Sequence, residues 1–255
     1  MQNLDQYKHL FGLIGYPLSH SFSKKYFGEK FAREGITDCY YELFPIERIE
    51  ELPAILETFP NLRGLNVTIP YKEAVFDYLD EVEAGARAVG AVNVIRVRDG
   101  RLSGYNSDVY GFSESLAGFL AEYGRHPAGA LILGTGGAAK AVRYVLDQQK
   151  IPFRLVSRTG GADRLTYDQI TPDLLQEYSL IINTTPLGMS PQIGTFPDIP
   201  YHYLGKENLL YDLVYNPELT TFMRKGNERG CPTKNGLEML YLQAEKAWEI
   251  WRAKG

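Results

Sequence analysis

The stretch Ala130-Leu131-Ile132-Leu133-Gly134-Thr135-Gly136-Gly137-Ala138-Ala139 decides the fold. An apolar run enters a glycine-rich turn, and a helical pattern follows to about Gln149. G-x-G-x-x-A between a strand and a helix is the dinucleotide-binding fingerprint in its required setting. Gly134 permits the tight turn, Gly136 lets the backbone approach a pyrophosphate, and the small Ala139 allows the helix to pack closely on the strand. The helix N-terminus favours the phosphates through its N–H groups and dipole. The structural alternative is a plain glycine turn, and the flanking strand and helix argue against it.

Cofactor choice is legible further on. Phe153-Arg154-Leu155-Val156 reads as the next strand, and it ends in Ser157-Arg158-Thr159. An NAD binder places an acid there, about twenty residues past the glycines, on the ribose hydroxyls. Here a guanidinium stands between two hydroxyls. That is a receptor for a 2′-phosphate, because arginine makes forked, charge-assisted bonds. NADP is therefore expected rather than NAD. Further strands are expected at 180–184 and 209–215, with their ends over the nicotinamide half of the cofactor cleft.

The first half of the chain also alternates strand and helix, which predicts parallel strands with right-handed crossovers. Strands are expected at 10–14, 39–44 and 65–69, and helices from beyond Ser23 to about 34, at 46–59 and at about 71–79. In the third strand Leu65, Val67 and Ile69 alternate with Asn66 and Thr68, so one face is expected to be apolar and the other polar. Pro70 lacks the N–H for a ladder bond and should end it. Lys72 then sits just beyond the strand's carboxyl end, the edge where open α/β sheets bind ligands. Asp99-Gly100 between two extended runs, 91–97 and 101–105, predicts a hairpin that closes this sheet. Asp108 is expected to cap a helix over 109–123. The serines Ser19, Ser21 and Ser23 either cap the first helix or bind an anion there, and His20 among them reads as structural. At the C-terminus Leu237, Leu240, Tyr241, Ala244, Trp248 and Trp251 share one helical face, with Gln243 beside it.

Composition narrows the function. With 255 residues, 44% hydrophobic and 23% charged, the chain is an ordinary globular protein of one large or two smaller domains. A net charge of −4 argues against a nucleic-acid partner. No run is long enough for a membrane span, and the first residues lack the pattern of a signal peptide. Cys39 and Cys231 suit two free thiols in a reducing cytoplasm, with a single disulfide as the alternative. No metal-ligand spacing is present.

Taken together and in order, these motifs resemble the shikimate dehydrogenase family over essentially the whole chain. The matching pieces are His20-Ser21-Phe22-Ser23, Asn66 to Lys72, Gly90-Ala91-Val92-Asn93, Gly104-Tyr105-Asn106-Ser107-Asp108 and Gly134 to Ala138. Ser157-Arg158-Thr159, Asn183-Thr184-Thr185 with Gly188-Met189, Tyr211-Asp212 with Tyr215, and Asn235-Gly236 through Gln243 complete the series. The resemblance implies NADPH-dependent, reversible reduction of 3-dehydroshikimate to shikimate in aromatic amino acid biosynthesis. It implies that Ser21 and Ser23 hold the substrate carboxylate with Tyr215 nearby. Asn66, Thr68, Lys72, Asn93, Asp108 and Gln243 hold its hydroxyls and carbonyl, and Lys72 with Asp108 is the catalytic pair. The implied cofactor contacts are Gly134, Gly136, Gly137, Ala138, Ser157, Arg158, Thr159, Thr184, Leu213 and Gly236. The chain departs from the family pattern at Lys24, where proline usually follows the second serine. It departs again at Ser157, usually asparagine, and at Ala162, often basic; Arg164 is the nearest substitute.

The fold expected is α/β in two domains. Residues 1–107 plus 235–255 form a mixed α/β substrate domain, 108–234 form a Rossmann-type NADP domain, and the active site lies in the cleft between them. A monomer or homodimer is expected. The competing readings are a quinate/shikimate dehydrogenase with relaxed substrate or cofactor choice, and a non-catalytic NADP-binding regulator. An acid in place of Ser157-Arg158-Thr159 would favour the former, and loss of Lys72 or Asp108 the latter. Neither feature is present.

Overall fold

In the computed structural model, which describes residues 4–18 and 21–253, the strands assort into two six-stranded sheets. The chain divides into two units, Met1–Ser107 with Ala244–Gly255, and Asp108–Gln243. The expected return to the first unit at 235 falls instead inside the last helix, at Ala244.

The first unit contains β1 (His9–Gly15), α1 (Phe22–Glu34), β2 (Cys39–Pro45), α2 (Leu52–Thr58), β3 (Leu62–Val67), β4 (Glu81–Val82), α3 (Ala84–Val89), β5 (Val94–Arg98) and β6 (Arg101–Tyr105). The strand order is β2-β1-β3-β5-β6-β4. β1, β2 and β3 are parallel, β5 runs antiparallel to β3, and β5 and β6 form an antiparallel hairpin. Asp99 (φ 50°) and Gly100 (φ 76°) turn that hairpin, the left-handed pair that a two-residue loop requires. The hairpin does not close the sheet, because β4 adds a parallel edge strand beyond β6. One face packs Leu10, Ile14, Leu65, Val67 and Ile95. The other packs Phe11, Phe27, Tyr41, Trp248 and Trp251, and the Trp251 indole donates to the Ile95 carbonyl at 2.9 Å.

Three expectations for this half need correction. β3 ends at Val67, not at Ile69, which is 73% exposed. The Tyr71 amide donates to the Thr68 carbonyl at 2.9 Å, and the turn so closed takes the chain out of the sheet. The expected polar face is not open at Asn66, which is buried, as in a strand covered on both sides. The helices expected at 46–59 and 71–79 shorten to α2 preceded by a 3-10 turn, and to a 3-10 segment Ala74–Tyr78.

The second unit contains α4 (Ser107–Glu122, its first residue still in the first unit), β7 (Ala130–Leu133), α5 (Gly137–Gln148), β8 (Phe153–Val156), β9 (Arg164–Leu165), α6 (Pro172–Glu177), β10 (Leu180–Asn183), β11 (Leu209–Asp212), α7 (Thr221–Asn227), β12 (Thr233–Lys234) and the start of α8 (Leu237–Arg252). The order is β12-β11-β10-β7-β8-β9, and every pair is parallel. Read from β9, this is the 3-2-1-4-5-6 order of a doubly wound sheet, whose switch point lies between β7 and β10. β7 and β10 are buried throughout, which explains the apolar runs Ala130–Leu133 and 180–182, with the buried Asn183 ending the second. β11 stops at Asp212, short of the expected 215.

Asp108 does not cap α4 from outside. The helix begins at Ser107, whose amide is held by the Asn93 side chain at 2.7 Å, and Asp108 sits in the first turn, where an acid complements the helix dipole. On α8, Ala244, Ala247, Trp248 and Trp251 are buried, but Tyr241 is 43% exposed. Cys39 and Cys231 are free and buried. Among the described residues no helix is long and apolar enough to cross a membrane.

Candidate active site

In the first unit Ser21, Ser23, Asn66 and Asn93, four of the residues expected to hold substrate, are linked by a chain of hydrogen bonds that is buried from Tyr41 onward. Ser21 caps α1, its hydroxyl accepting from the Ser23 amide at 3.3 Å. The Ser23 hydroxyl reaches the phenol of Tyr41, whose pKa burial drives upward. Tyr41 donates to Asn66 Oδ1 at 2.7 Å, and Asn66 Nδ2 donates to the Asn93 carbonyl at 3.3 Å. Asn93 in turn donates to the Ser107 hydroxyl at 3.1 Å. A buried amide needs such partners, since leaving one unpaired costs about 1–3 kcal/mol. Asn66 and Asn93 are thus oriented by the fold itself. Thr68 and Lys72 follow at the carboxyl end of β3. The Lys72 backbone is fixed by the Val92 amide, which donates to its carbonyl at 2.8 Å, and its side chain is half-buried. Ser19 and His20 lie outside the described residues.

In the second unit the glycine turn has the shape the fingerprint requires. Gly134 has φ 109°, and a Cβ there would stand 2.8 Å from Thr184 Oγ1. Thr184 itself donates to the Leu133 carbonyl at 2.8 Å, tying the ends of β7 and β10 together at the switch point. At Gly136 and Gly137 a Cβ would meet only open space. Gly136 caps α5 with no side chain on the first amides. This is a cradle open to a pyrophosphate, so the residues fit a dinucleotide. At the end of β8 the Ser157 hydroxyl accepts from the Thr159 amide at 3.2 Å, which folds the loop into a tight turn that leaves Arg158 exposed. Arg164 donates to Asp163 at 3.0 Å. The Leu213 carbonyl lies so close to Gly236 that a Cβ there would fall 2.1 Å from it.

Asp108, Tyr215 and Gln243 also belong to this unit. Tyr215 is half-buried, and burial raises its pKa. Gln243 Nε2 donates to the Leu240 carbonyl at 2.9 Å.

Two residues to which the sequence reading assigned no role organise these groups. Tyr41 joins Ser23 to Asn66. Asp212 is fully buried at the end of β11. It accepts from Asn183 Nδ2 at 2.9 Å, the Val214 amide at 3.0 Å and the Thr220 hydroxyl at 2.6 Å. Asn183 Oδ1 meanwhile accepts from the Thr185 amide at 3.0 Å. One carboxylate therefore ties together the exits of β10 and β11, which carry Thr184, Leu213 and Tyr215. Burial pushes its pKa up to about 6 despite the three donors. A lone acid inside the apolar run Leu209-Leu210-Tyr211-Asp212-Leu213-Val214 was the available signal.

With the geometry described, comparison with known proteins places it among relatives. The sequence profile of the shikimate dehydrogenase substrate binding domain matches residues 13–95. A shikimate dehydrogenase (NADP(+)) of Carboxydothermus hydrogenoformans is 40% identical over 260 residues, covering 95% of this chain and 91% of that one. Its counterpart in Clostridium beijerinckii is 39% identical, covering 95% and 91%. The crystal structure of shikimate 5-dehydrogenase from Thermus thermophilus, in complex with NADP(H) and shikimate, superposes with a TM-score of 0.82 at 30% identity. It covers 96% of this chain and 93% of that one.

Proposed function

The chain belongs to the shikimate dehydrogenase family, and from that premise we propose that it reduces 3-dehydroshikimate reversibly to shikimate with NADPH. The observation that carries this reading is the end-to-end similarity to an NADP-dependent relative, 40% identical over 95% of the chain. The chain is an oxidoreductase, and NADP is its cofactor.

The residues are assigned roles as follows. Gly134, Gly136, Gly137 and Ala138 bring backbone amides of the α5 N-terminus to the pyrophosphate. Arg158, between Ser157 and Thr159, binds the 2′-phosphate through forked, charge-assisted bonds. Thr184, Leu213 and Gly236 complete the cofactor contacts. Ser21, Ser23 and Tyr215 hold the substrate carboxylate, while Asn66, Thr68, Asn93 and Gln243 hold its hydroxyls. When bound, NADPH supplies the hydride. As the ketone carbon accepts it, negative charge builds on the oxygen. The Lys72 ammonium stabilises that charge and delivers the proton, a role typically worth ~10²–10⁴-fold. Asp108 is the catalytic carboxylate that bonds a neighbouring substrate hydroxyl. The buried free thiols Cys39 and Cys231 support a reducing, cytoplasmic setting.

The test is absorbance at the reduced-nicotinamide band for four pairings, shikimate or quinate with NADP⁺ or NAD⁺. Strong turnover confined to shikimate with NADP⁺ is expected. Comparable rates with quinate or NAD⁺ would move the protein to the broader subfamily. No turnover in any pairing, from folded protein that binds NADPH, would overturn the enzymatic reading.

A further inference from the structure

Asp108 and Gln243 sit on different helices of the same unit, and their separation depends on how α4 lies against α8. Two contacts set that placement. The first is at Gly111, one turn beyond Asp108. A Cβ on residue 111 would stand 2.7 Å from the Met239 carbonyl oxygen and 3.1 Å from both the backbone nitrogen and Cβ of Gln243. The obstacle is backbone, which cannot swing aside as a flexible side chain would. The second contact is one turn further along α4. The buried Ser115 hydroxyl donates to Glu238 at 2.9 Å and accepts from the Tyr211 phenol at 2.8 Å. Glu238 is also paired with Lys234 at 2.6 Å. As α4 advances from 111 to 115, its partner on α8 moves back from Met239 and Gln243 to Glu238, so the two points together fix the axial register of the helices.

We propose that Gly111, with the Ser115–Glu238 bond, acts as a positioning element that sets the spacing of Asp108 from Gln243 and hence the fit of the pocket to substrate. This rests on the assignment of Asp108 and Gln243 to the substrate site. Alanine is the better helix former, so glycine inside α4 is explained by the close approach and not by helix stability. Separating the helices moves Gln243 relative to Asp108 without touching the glycine turn that takes the cofactor.

The experiment is steady-state kinetics of the full chain with shikimate and NADP⁺, comparing wild type, Gly111→Ala, Gln243→Ala and the double variant. Gly111→Ala is expected to raise KM for shikimate by roughly tenfold, since sub-ångström to ångström misplacement is costly in a pre-organised site. KM for NADP⁺ should stay within about twofold, and the effect of Gly111→Ala should shrink in the Gln243→Ala background because the two act through one contact. If Gln243→Ala raises KM for shikimate and Gly111→Ala does not, the positioning role is overturned and the site assignment stands. If neither variant changes it, the assignment of Gln243 fails, and the proposal with it. Equal rises for shikimate and NADP⁺ in Gly111→Ala mean a general disturbance and also overturn it. Should Gly111→Ala not fold, Glu238→Ala decides in its place: it must raise KM for shikimate selectively, and Glu238→Gln, which keeps an acceptor for Ser115, must restore it. Any other result with that pair rejects the role.

Discussion

Lys72, the proposed proton donor, lies just beyond the carboxyl end of β3 with its backbone held by Val92, and replacing it by alanine tests that role apart from cofactor binding. The expected loss in kcat is ~10²–10⁴-fold, with NADPH binding unchanged by nicotinamide fluorescence; unchanged turnover would remove Lys72 from the mechanism. Asp212 gives a residue-scale prediction about pH. Burial raises its carboxyl to about 6 from the ordinary 3.8 of an aspartate, so the folded state binds the proton more tightly than the unfolded state does. The associated stability is present in full below the unfolded pKa and is lost as pH rises through the folded one. Between pH 4 and pH 7 the wild type should lose up to about 3 kcal/mol that Asp212→Asn retains. Urea unfolding of both proteins at the two pH values measures this, and parallel curves would refute it. The thiols give a further expectation. Burial pushes Cys39 up to about 12 and Cys231 up to about 11, so neither should react with a thiol reagent at neutral pH until the chain is unfolded.

At the scale of elements, the proposed seat of the cofactor preference is the β8–β9 loop. If Arg158 is the charged partner of the 2′-phosphate, as proposed, Arg158→Ala should raise KM for NADP⁺ about 10–100-fold, the range of a charge-assisted bond. The low efficiency with NAD⁺ should hardly change; a parallel fall with both cofactors would show that the arginine supports the fold and not the phosphate. Elements with strong local signals were legible in the sequence. β7, the glycine turn, α5 and β8 follow from an apolar run, a glycine spacing and a helical period. The β5–β6 hairpin follows from Asp99-Gly100, and α1 from a serine at its start and Gly35 at its end. The two-residue strands β4, β9 and β12 were not legible. Such segments have no period to detect, and they exist because a neighbouring strand offers unpaired backbone groups. The end of β3 was misplaced for a related reason. Ile69 continues the alternation of Leu65 and Val67, but the Tyr71 amide closes a turn on Thr68 instead.

At the scale of the molecule, cofactor binding should be readable as stability. NADP⁺ binds the folded chain alone, so at 100-fold over its Kd it should add about 2.7 kcal/mol, seen as a rise in thermal midpoint. Gly136→Val, which puts a side chain where the pyrophosphate is expected, should abolish that rise while leaving the midpoint without cofactor nearly unchanged, since a Cβ there meets nothing in the protein. A rise that survives the substitution would place the cofactor elsewhere. The sequence by itself determined the fold class, the dinucleotide turn, the NADP preference and the family, because each is written in residues adjacent in the chain or in motifs in a set order. Only the tertiary structure decided how the site residues are held. Tyr41 reaches Asn66 across twenty-five residues, Asn183 reaches Asp212 across twenty-nine, and Gly111 meets the carbonyl of Met239 on another helix. A buried polar group takes whatever partner the fold brings to it, and a close backbone approach belongs to two elements at once. Neither has a signature in local sequence.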